Sequence, residues 1–252
     1  MTTSGGTQTS LSAWLRSSKK ALSMAGEGSV SVLFPPRCLL CGRPTSHLSI
    51  LCDECIVDLP RLEGPRCVKC QEPLSDPSVD LCRACGTRER WFDLAISLGP
   101  YEGAWGELVR ALKFDVEPAV ARFLSSCMAD YLLNQEPLGD IDVITYVPMT
   151  RRALRQRGFN QARLVAQGLG RRIHRPVARL LRKVHETSPQ SRLSARERRR
   201  NLRGAFRSIR SIHGKVLLVD DIFTTGSTVE ECAHALKNGG CEEVFVLTVA
   251  RA

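Results

Sequence analysis

Val216-Leu217-Leu218-Val219-Asp220-Asp221-Ile222-Phe223-Thr224-Thr225-Gly226-Ser227-Thr228 decides the fold of this 252-residue chain. The aliphatic run reads as a strand buried on both faces, the pattern of a parallel sheet. Two carboxylates end the run, small hydroxyl-bearing residues and a glycine follow, and a helix then starts. Backbone N–H groups, hydroxyls and the positive helix end therefore converge on one point, which suits an anion. A phosphate on the turn, with carboxylates one step back to accept bonds from vicinal hydroxyls, describes a site for a phosphorylated sugar.

An acidic pair at a strand end also occurs in metal-binding receiver domains, but there it follows the first strand. Here it lies near the C-terminus and runs directly into Thr-Thr-Gly-Ser-Thr. The stretch has neither a Walker A nor a Gly-x-Gly-x-x-Gly pattern, so nucleotide-loop readings lack their key residues. It resembles the phosphoribosyl-pyrophosphate (PRPP) motif of type I phosphoribosyltransferases. By that resemblance Asp220 and Asp221 bind the ribose hydroxyls, and Thr224, Thr225, Gly226, Ser227 and Thr228 hold the 5′-phosphate.

The chain on either side alternates strand and helix. Downstream, Val229–Asn238 predicts a helix capped by Gly239-Gly240, and Glu243–Val249 a closing strand. Upstream, Ile141–Val147 predicts a strand that leads through Pro148 into Met149-Thr150-Arg151-Arg152, an Arg-rich turn (Arg155 to Asn160) and a helix from Gln161 to Arg171. A second anion site at the end of a neighbouring strand is what a pyrophosphate-bearing ligand requires, because ligands of open α/β sheets collect at strand carboxyl ends.

Val177–Val184 reads as a weaker strand, interrupted by Arg179 and Arg182. The polar, arginine-rich stretch from His185 to Arg203 reads as a lid-like loop with one helical turn, or as a basic linker. Earlier in the chain, Phe92–Leu98 predicts a strand, Gly99–Gly103 a turn, and Ala104–Phe114 and Glu117–Asn134 two helices. Val120, Phe123, Leu124, Cys127, Met128 and Tyr131 share one face of the second helix. The fold class is α/β, with a parallel sheet and right-handed crossovers.

Eight of the eleven cysteines form four Cys-x-x-Cys pairs: Cys38/Cys41, Cys52/Cys55, Cys67/Cys70 and Cys82/Cys85. Each pair presents two thiolates to one metal, and two pairs complete a tetrahedral Cys₄ zinc site. Four pairs predict two structural Zn²⁺ sites. Pairing first with second and third with fourth closes the shorter loops; crossed pairing and rubredoxin-like iron are the alternatives. A disulfide framework needs an oxidising compartment, and the N-terminus carries no export signal. Cys127, Cys232 and Cys241 have no partner at ligand spacing and read as core thiols.

Hydrophobic content of 43% and charged content of 25% are those of an ordinary soluble protein. No apolar run reaches the ~20 residues of a membrane-spanning helix, so the expected location is cytoplasmic. Net charge is +10, yet residues 151–210 alone hold 19 lysines and arginines against two acids. That field attracts polyanions, pyrophosphate or nucleic acid. Expected boundaries are a flexible tail or short helix over 1–30, a double zinc ribbon over 31–90 and the α/β domain over 91–252. The tail's Leu11, Trp14, Leu15 and Leu22 fit a short packing helix, a frayed end or a membrane-surface helix.

The Cys pairs and the 216–228 stretch occur together with Tyr101-Glu102-Gly103, Leu112-Lys113-Phe114, Arg157-Gly158-Phe159-Asn160-Gln161 and Gly204-Ala205-Phe206. In that combination the chain resembles the ComF family, whose members join a double zinc ribbon to a phosphoribosyltransferase-like domain. The resemblance implies PRPP binding with Mg²⁺ and a link to DNA uptake in natural competence. It implies pyrophosphate contacts from Met149, Thr150, Arg151 and Arg152, and a leaving-group contact from Arg198, less surely Arg196 or Arg199. Rival readings are a single-stranded-DNA-binding protein with the PRPP fold as sensor or scaffold, and an adaptor whose ribbon docks uptake machinery such as a helicase.

Overall fold

A computed structural model describes residues 36–46, 49–114, 118–135, 138, 140–185 and 195–252. The expectations for the N-terminal tail and for 186–194 fall outside these residues.

Four parallel strands form the central sheet: β1 (Leu94–Pro100), β2 (Val143–Tyr146), β5 (Lys215–Phe223) and β6 (Glu243–Arg251), in the order β1-β6-β5-β2. Side-chain alternation on β5 sends Leu217 and Val219 to one face and Val216 and Leu218 to the other, all fully buried. On the first face lie α3 (Ala104–Phe114), α4 (Pro118–Gln135) and α6 (Gln161–Arg172). On the second lies α8 (Ser227–Asn238) with a small two-stranded antiparallel sheet, β3 (Leu181–Lys183) and β4 (Phe206–Ser208). Each inward aliphatic side chain contributes about 1.5–3 kcal/mol on burial, which is why an uninterrupted aliphatic strand selects this doubly covered sheet.

Several expectations change in detail. Strand β5 does not stop at the acids but continues through them to Phe223. Gly99-Pro100 ends β1 rather than forming a turn. Glycine is needed at 99, because a Cβ there would lie 2.6 Å from the Pro60 carbonyl, which accepts a hydrogen bond from Trp105 Nε1 at 2.7 Å. The expected strand over Val177–Val184 splits. Val177 bridges to Ile144 at the sheet edge, and Leu181–Lys183 leaves the sheet to pair with β4. The expected Arg-rich turn is a helix, α5 (Arg151–Arg157), started by the Thr150 side chain accepting from Ala153 N and ended by Gly158 in the left-handed region. The predicted basic loop contains an eight-residue helix, α7 (Ala195–Leu202), whose Leu202 is fully buried.

The cysteine-rich segment consists of two copies of one small unit, each with a single helical turn, α1 (Asp53–Val57) and α2 (Arg83–Gly86). In the first, Cys38 N donates to Arg43 O, Gly42 N to Cys38 O, and Arg37 bridges to Pro44; the same contacts recur 29 residues later at Cys67, Gln71, Glu72, Arg66 and Pro73. Gly42 has φ +71° and Gln71 φ +60°. The non-glycine residue is tolerated in the second copy because its side chain has a job: Gln71 Oε1 accepts from Ser97 N at 2.6 Å. Together with the bond from Ala95 N to Lys69 O at 2.9 Å, this covers the open edge of β1, an edge that would otherwise invite pairing with another chain. The first copy packs on the opposite side, where Leu51 and Leu59 join the cluster that contains Trp105 and Leu108.

Candidate functional site

Each ribbon gathers its four sulfurs. Cys38, Cys41, Cys52 and Cys55 form one group and Cys67, Cys70, Cys82 and Cys85 the other, all ligand atoms within 4.8 Å of one another. The pairing is sequential. All eight are free thiols, so none is consumed in a disulfide. Cys41 and Cys52 sulfurs are 3.6 Å apart, and Cys70 and Cys82 sulfurs 3.7 Å. Tetrahedral Zn–S bonds of ~2.3 Å place ligand sulfurs about 3.8 Å apart, so the donor sets fit zinc. Burial opposes ionisation of Cys38 and Cys67. Nearby backbone N–H groups, those of Cys52, Cys41 and Leu40 for Cys38 and of Cys82, Lys69 and Cys70 for Cys67, nevertheless hold both thiols below their ordinary value, Cys67 at about 7. The Arg43 guanidinium brings Cys41 down to about 6. Knuckle amides and a cation thus favour the thiolate form at these three, whereas burial pushes the Cys55, Cys70 and Cys85 thiols up.

The second candidate site lies where the neighbouring strands β5 and β2 end. A cleft of about 220 Å³ is lined by Lys113, Val147, Met149, Arg157, Asn160, Gln161, Ala162, Asp220 and Asp221. Sequence reasoning placed Asp220, Asp221 and Met149 together, and they share this cleft. Thr150, Arg151, Arg152 and residues 224–228 do not line it; the two arginines open α5 and are exposed, as is every arginine of that helix. The Arg198 side chain lies outside the described residues.

Lys113 and Arg157 are the cations of the cleft; Arg157 belongs to the Arg-rich stretch expected to form a second anion site, whereas nothing in the sequence pointed to a site role for Lys113. Lys113 Nζ lies 2.8 Å from Asp221 Oδ2, an ion pair between residues far apart in the chain and invisible to spacing arguments. Asp221 N donates to Asp220 Oδ1 at 2.9 Å. Burial first, and then the charge of Asp221, push the Asp220 carboxyl well above the ordinary aspartate value. The folded chain therefore holds a proton that the unfolded chain has already lost. Ligand-free stability is expected to fall as pH rises from about 3.9, the unfolded aspartate value, through the raised Asp220 value. Thermal melts across that window should show the fall in the native chain and a shallower one in Asp220→Asn; identical slopes would contradict the assignment.

Beyond the acids the chain turns at Thr224–Gly226 into α8. The Thr225 and Ser227 hydroxyls lie 2.8 Å apart, and Gly226 has φ +71°. A Cβ on Gly226 would sit 2.6 Å from the Phe223 ring, so only glycine fits both the turn and the ring beneath it. That ring is clamped from the second ribbon. The Arg251 guanidinium stacks on it at 4.7 Å while donating to the Cys70 carbonyl at 2.5 Å and pairing with Glu72. A parallel route runs from Arg90, which pairs with Glu230 of α8 at 3.4 Å. Arg90 also lies over Phe92, which meets Phe223 edge to face at 6.1 Å.

A parallel sheet carrying an acidic pair, a small hydroxyl-rich turn at a helix start, and two four-cysteine knuckles defines a phosphoribosyltransferase-fold protein with a double zinc ribbon. Comparison with known families agrees: residues 29–86 match the double zinc ribbon domain and residues 153–252 the phosphoribosyl transferase domain. The chain is 31% identical over 224 residues to the DNA utilization protein YhgH of Escherichia coli O6:H1, covering 86% of this chain and 97% of that one. It is 33% identical over 227 residues to the protein of the same name from Salmonella typhimurium, with the same coverage. It is 31% identical over 227 residues to competence protein F of Haemophilus influenzae, again covering 86% and 97%. The chain belongs to the ComF family. No helix among the described residues is long and apolar enough to cross a membrane.

Proposed function

We propose that the cleft binds PRPP with Mg²⁺ and that the protein acts as a phosphoribosyltransferase in the handling of DNA taken up during competence. The observation that carries this reading is the acidic pair of β5 running into a turn of small hydroxyl-bearing residues at the start of α8. Asp220 and Asp221 accept hydrogen bonds from the two vicinal ribose hydroxyls, and residues 224–228 donate to the 5′-phosphate. Lys113 orients Asp221 and sets a positive charge beside the sugar. The exit of β2 at Met149 faces the pyrophosphate end, while Arg151 and Arg152 lie outside the lining and contribute charge at longer range. Arg198 of α7 is the proposed closing cation for the leaving group.

In the reaction the C1–oxygen bond to pyrophosphate breaks, the electron pair leaves with pyrophosphate, and a nucleophile bonds C1 across an oxocarbenium-like transition state. Fixed polar groups lower that barrier by positioning and by stabilising developing charge. Mg²⁺, when bound, neutralises phosphate oxygens, and the hard carboxylate donors of this cleft suit it.

The exposed arginines of α5 offer a surface for single-stranded DNA, and the ribbons one for an uptake helicase, in a cytoplasmic protein. The transferase reading is tested by pyrophosphate release from PRPP against a panel of purine, pyrimidine and amine acceptors. Release that depends on one acceptor class supports it; PRPP binding with no release under any acceptor rejects turnover.

A further inference from the structure

Two adjacent carboxylates in a cleft are hard oxygen donors of the kind that divalent cations take up. In this chain the cation set against them is a side chain. Lys113 Nζ lies 2.8 Å from Asp221 Oδ2, and both residues line the cleft together with Asp220. Their side chains are only 22% and 18% exposed, so solvent screens the pair far less than it screens an ion pair at the surface. Asp221 N donates to Asp220 Oδ1 at 2.9 Å, which ties the two acids into one unit.

The lysine is held in place by the fold. It stands in the last turn of α3, whose Leu108, Val109 and Leu112 are buried against the first face of the sheet. Those contacts fix the rotation of the helix about its axis, and with it the side on which Lys113 emerges. The negative end of the helix dipole favours a cation at the same position. Removing one partner of a shielded pair leaves the other charge uncompensated, at a cost well above that of losing a surface pair. A divalent ion arriving alone therefore has to evict the ammonium before it reaches Asp221. Mg²⁺ sheds its water reluctantly and is held through substrate phosphates more readily than by an all-protein cage. A metal already coordinated by phosphate oxygens brings most of its ligands with it and leaves the lysine where it is.

We propose that Lys113 is the resident counter-cation of the acidic pair: it keeps divalent metal off Asp220 and Asp221 in the ligand-free cleft, so that metal enters only on the phosphates of the ligand. Lys113 is thus a positioning residue that sets the order of binding. The order rests on the PRPP reading above; the exclusion of free metal does not.

The test uses the full zinc-loaded chain, native and with Lys113→Met or Lys113→Arg, in mildly alkaline buffer where protons compete least for the carboxylates. Mn²⁺ alone is titrated, and binding is read from loss of the free-ion electron paramagnetic resonance signal. The native chain and Lys113→Arg are expected to show no saturable site. Lys113→Met should take up one Mn²⁺ per chain, roughly tenfold or more tighter than any residual binding to the native chain, and adding Asp221→Asn should remove that site. Mn²⁺ should also raise the melting temperature of Lys113→Met and leave that of the native chain unchanged. A lysine that only braced the fold would cost stability on removal without creating a metal site. A folded Lys113→Met with no Mn²⁺ site overturns the proposal, and so does a native chain with one saturable Mn²⁺ that Asp221→Asn abolishes. Where Lys113→Met does not fold, the native chain decides by itself: no site for Mn²⁺ alone, but uptake of one once PRPP is added, supports the proposal. Uptake by Lys113→Met with no effect of PRPP on the native chain overturns the PRPP reading instead and leaves the counter-cation standing.

Discussion

Replacing Asp220 and Asp221 together by asparagine is expected to remove PRPP binding, with a loss of a hundredfold or more, while the fold survives. The carboxylates lie at the end of a buried strand, in a cleft where hydrogen bonds to an ionised acceptor are about twice as strong as those between neutral groups. Asparagine keeps the shape but offers one acceptor oxygen in place of two, and an amide that repels hydroxyl protons. It also leaves Lys113 without its counter-charge. The single change Asp220→Asn separates function from stability. It preserves the Lys113–Asp221 pair and removes the buried carboxyl that desolvation first, and then the Asp221 charge, push up. Its ligand-free melting point should rise, by about 2–4 °C for each kcal/mol of relieved penalty in a chain of this size, even as PRPP affinity falls. A variant that melts lower and binds normally would show the acids to be structural.

Loss of the second zinc site is expected to damage the PRPP cleft more than loss of the first. Structural zinc contributes folding free energy outright, roughly 10–16 kcal/mol in small knuckles, so serine at Cys67 or Cys70 should release one metal and loosen its ribbon. The consequence travels along contacts already described. Arg251 loses its hold on the Cys70 carbonyl and Glu72, and Phe223 then loses the guanidinium that clamps it under Gly226. Arg90, at the end of the same ribbon, is paired to Glu230 at the start of α8, so a loosened ribbon shifts that pair as well. A displacement of about 1 Å at a binding loop can cost on the order of a hundredfold. Cys67→Ser or Cys70→Ser should therefore weaken PRPP at least tenfold. Cys41→Ser, in the ribbon that packs against α3, should change it by less than about threefold. Metal content and PRPP titration on the same samples check this; equal effects from both ribbons would contradict the coupling.

What the sequence made legible follows from the range of each signal. The 216–228 stretch was readable because an aliphatic run, two acids and a row of small residues are adjacent in the chain. The pairing of the knuckles followed from spacing, since the shorter loops do close. The face of α4 carrying Leu124, Cys127 and Met128 repeated with helical period and is buried as expected. Helix α5 was read as a turn because none of its residues is buried, so it has no apolar face to betray its period. The β3–β4 pair escaped because three-residue strands are too short to show alternation. Residues whose importance lies in a long-range partner were illegible in principle. Lys113 matters through Asp221, and Arg251 through Phe223 and the second ribbon. The duplication of the ribbon unit was present in the sequence, in the repeated Pro-Arg-Cys that begins at Pro36 and Pro65, and became obvious once the two sets of backbone contacts were superposed.

The central claim is that one PRPP binds where β5 and β2 end, its ribose on Asp220 and Asp221 in the cleft, its 5′-phosphate on the turn that follows at 224–228 and its pyrophosphate beside the exit of β2. Calorimetric titration of the zinc-loaded chain in Mg²⁺ tests it most directly. Saturation at one PRPP per chain is expected, with affinity well above that of ribose 5-phosphate or pyrophosphate alone, because joining the two ends converts the second contact into an intramolecular one. Absence of saturable heat, or PRPP binding no tighter than the better of its two halves, would contradict it.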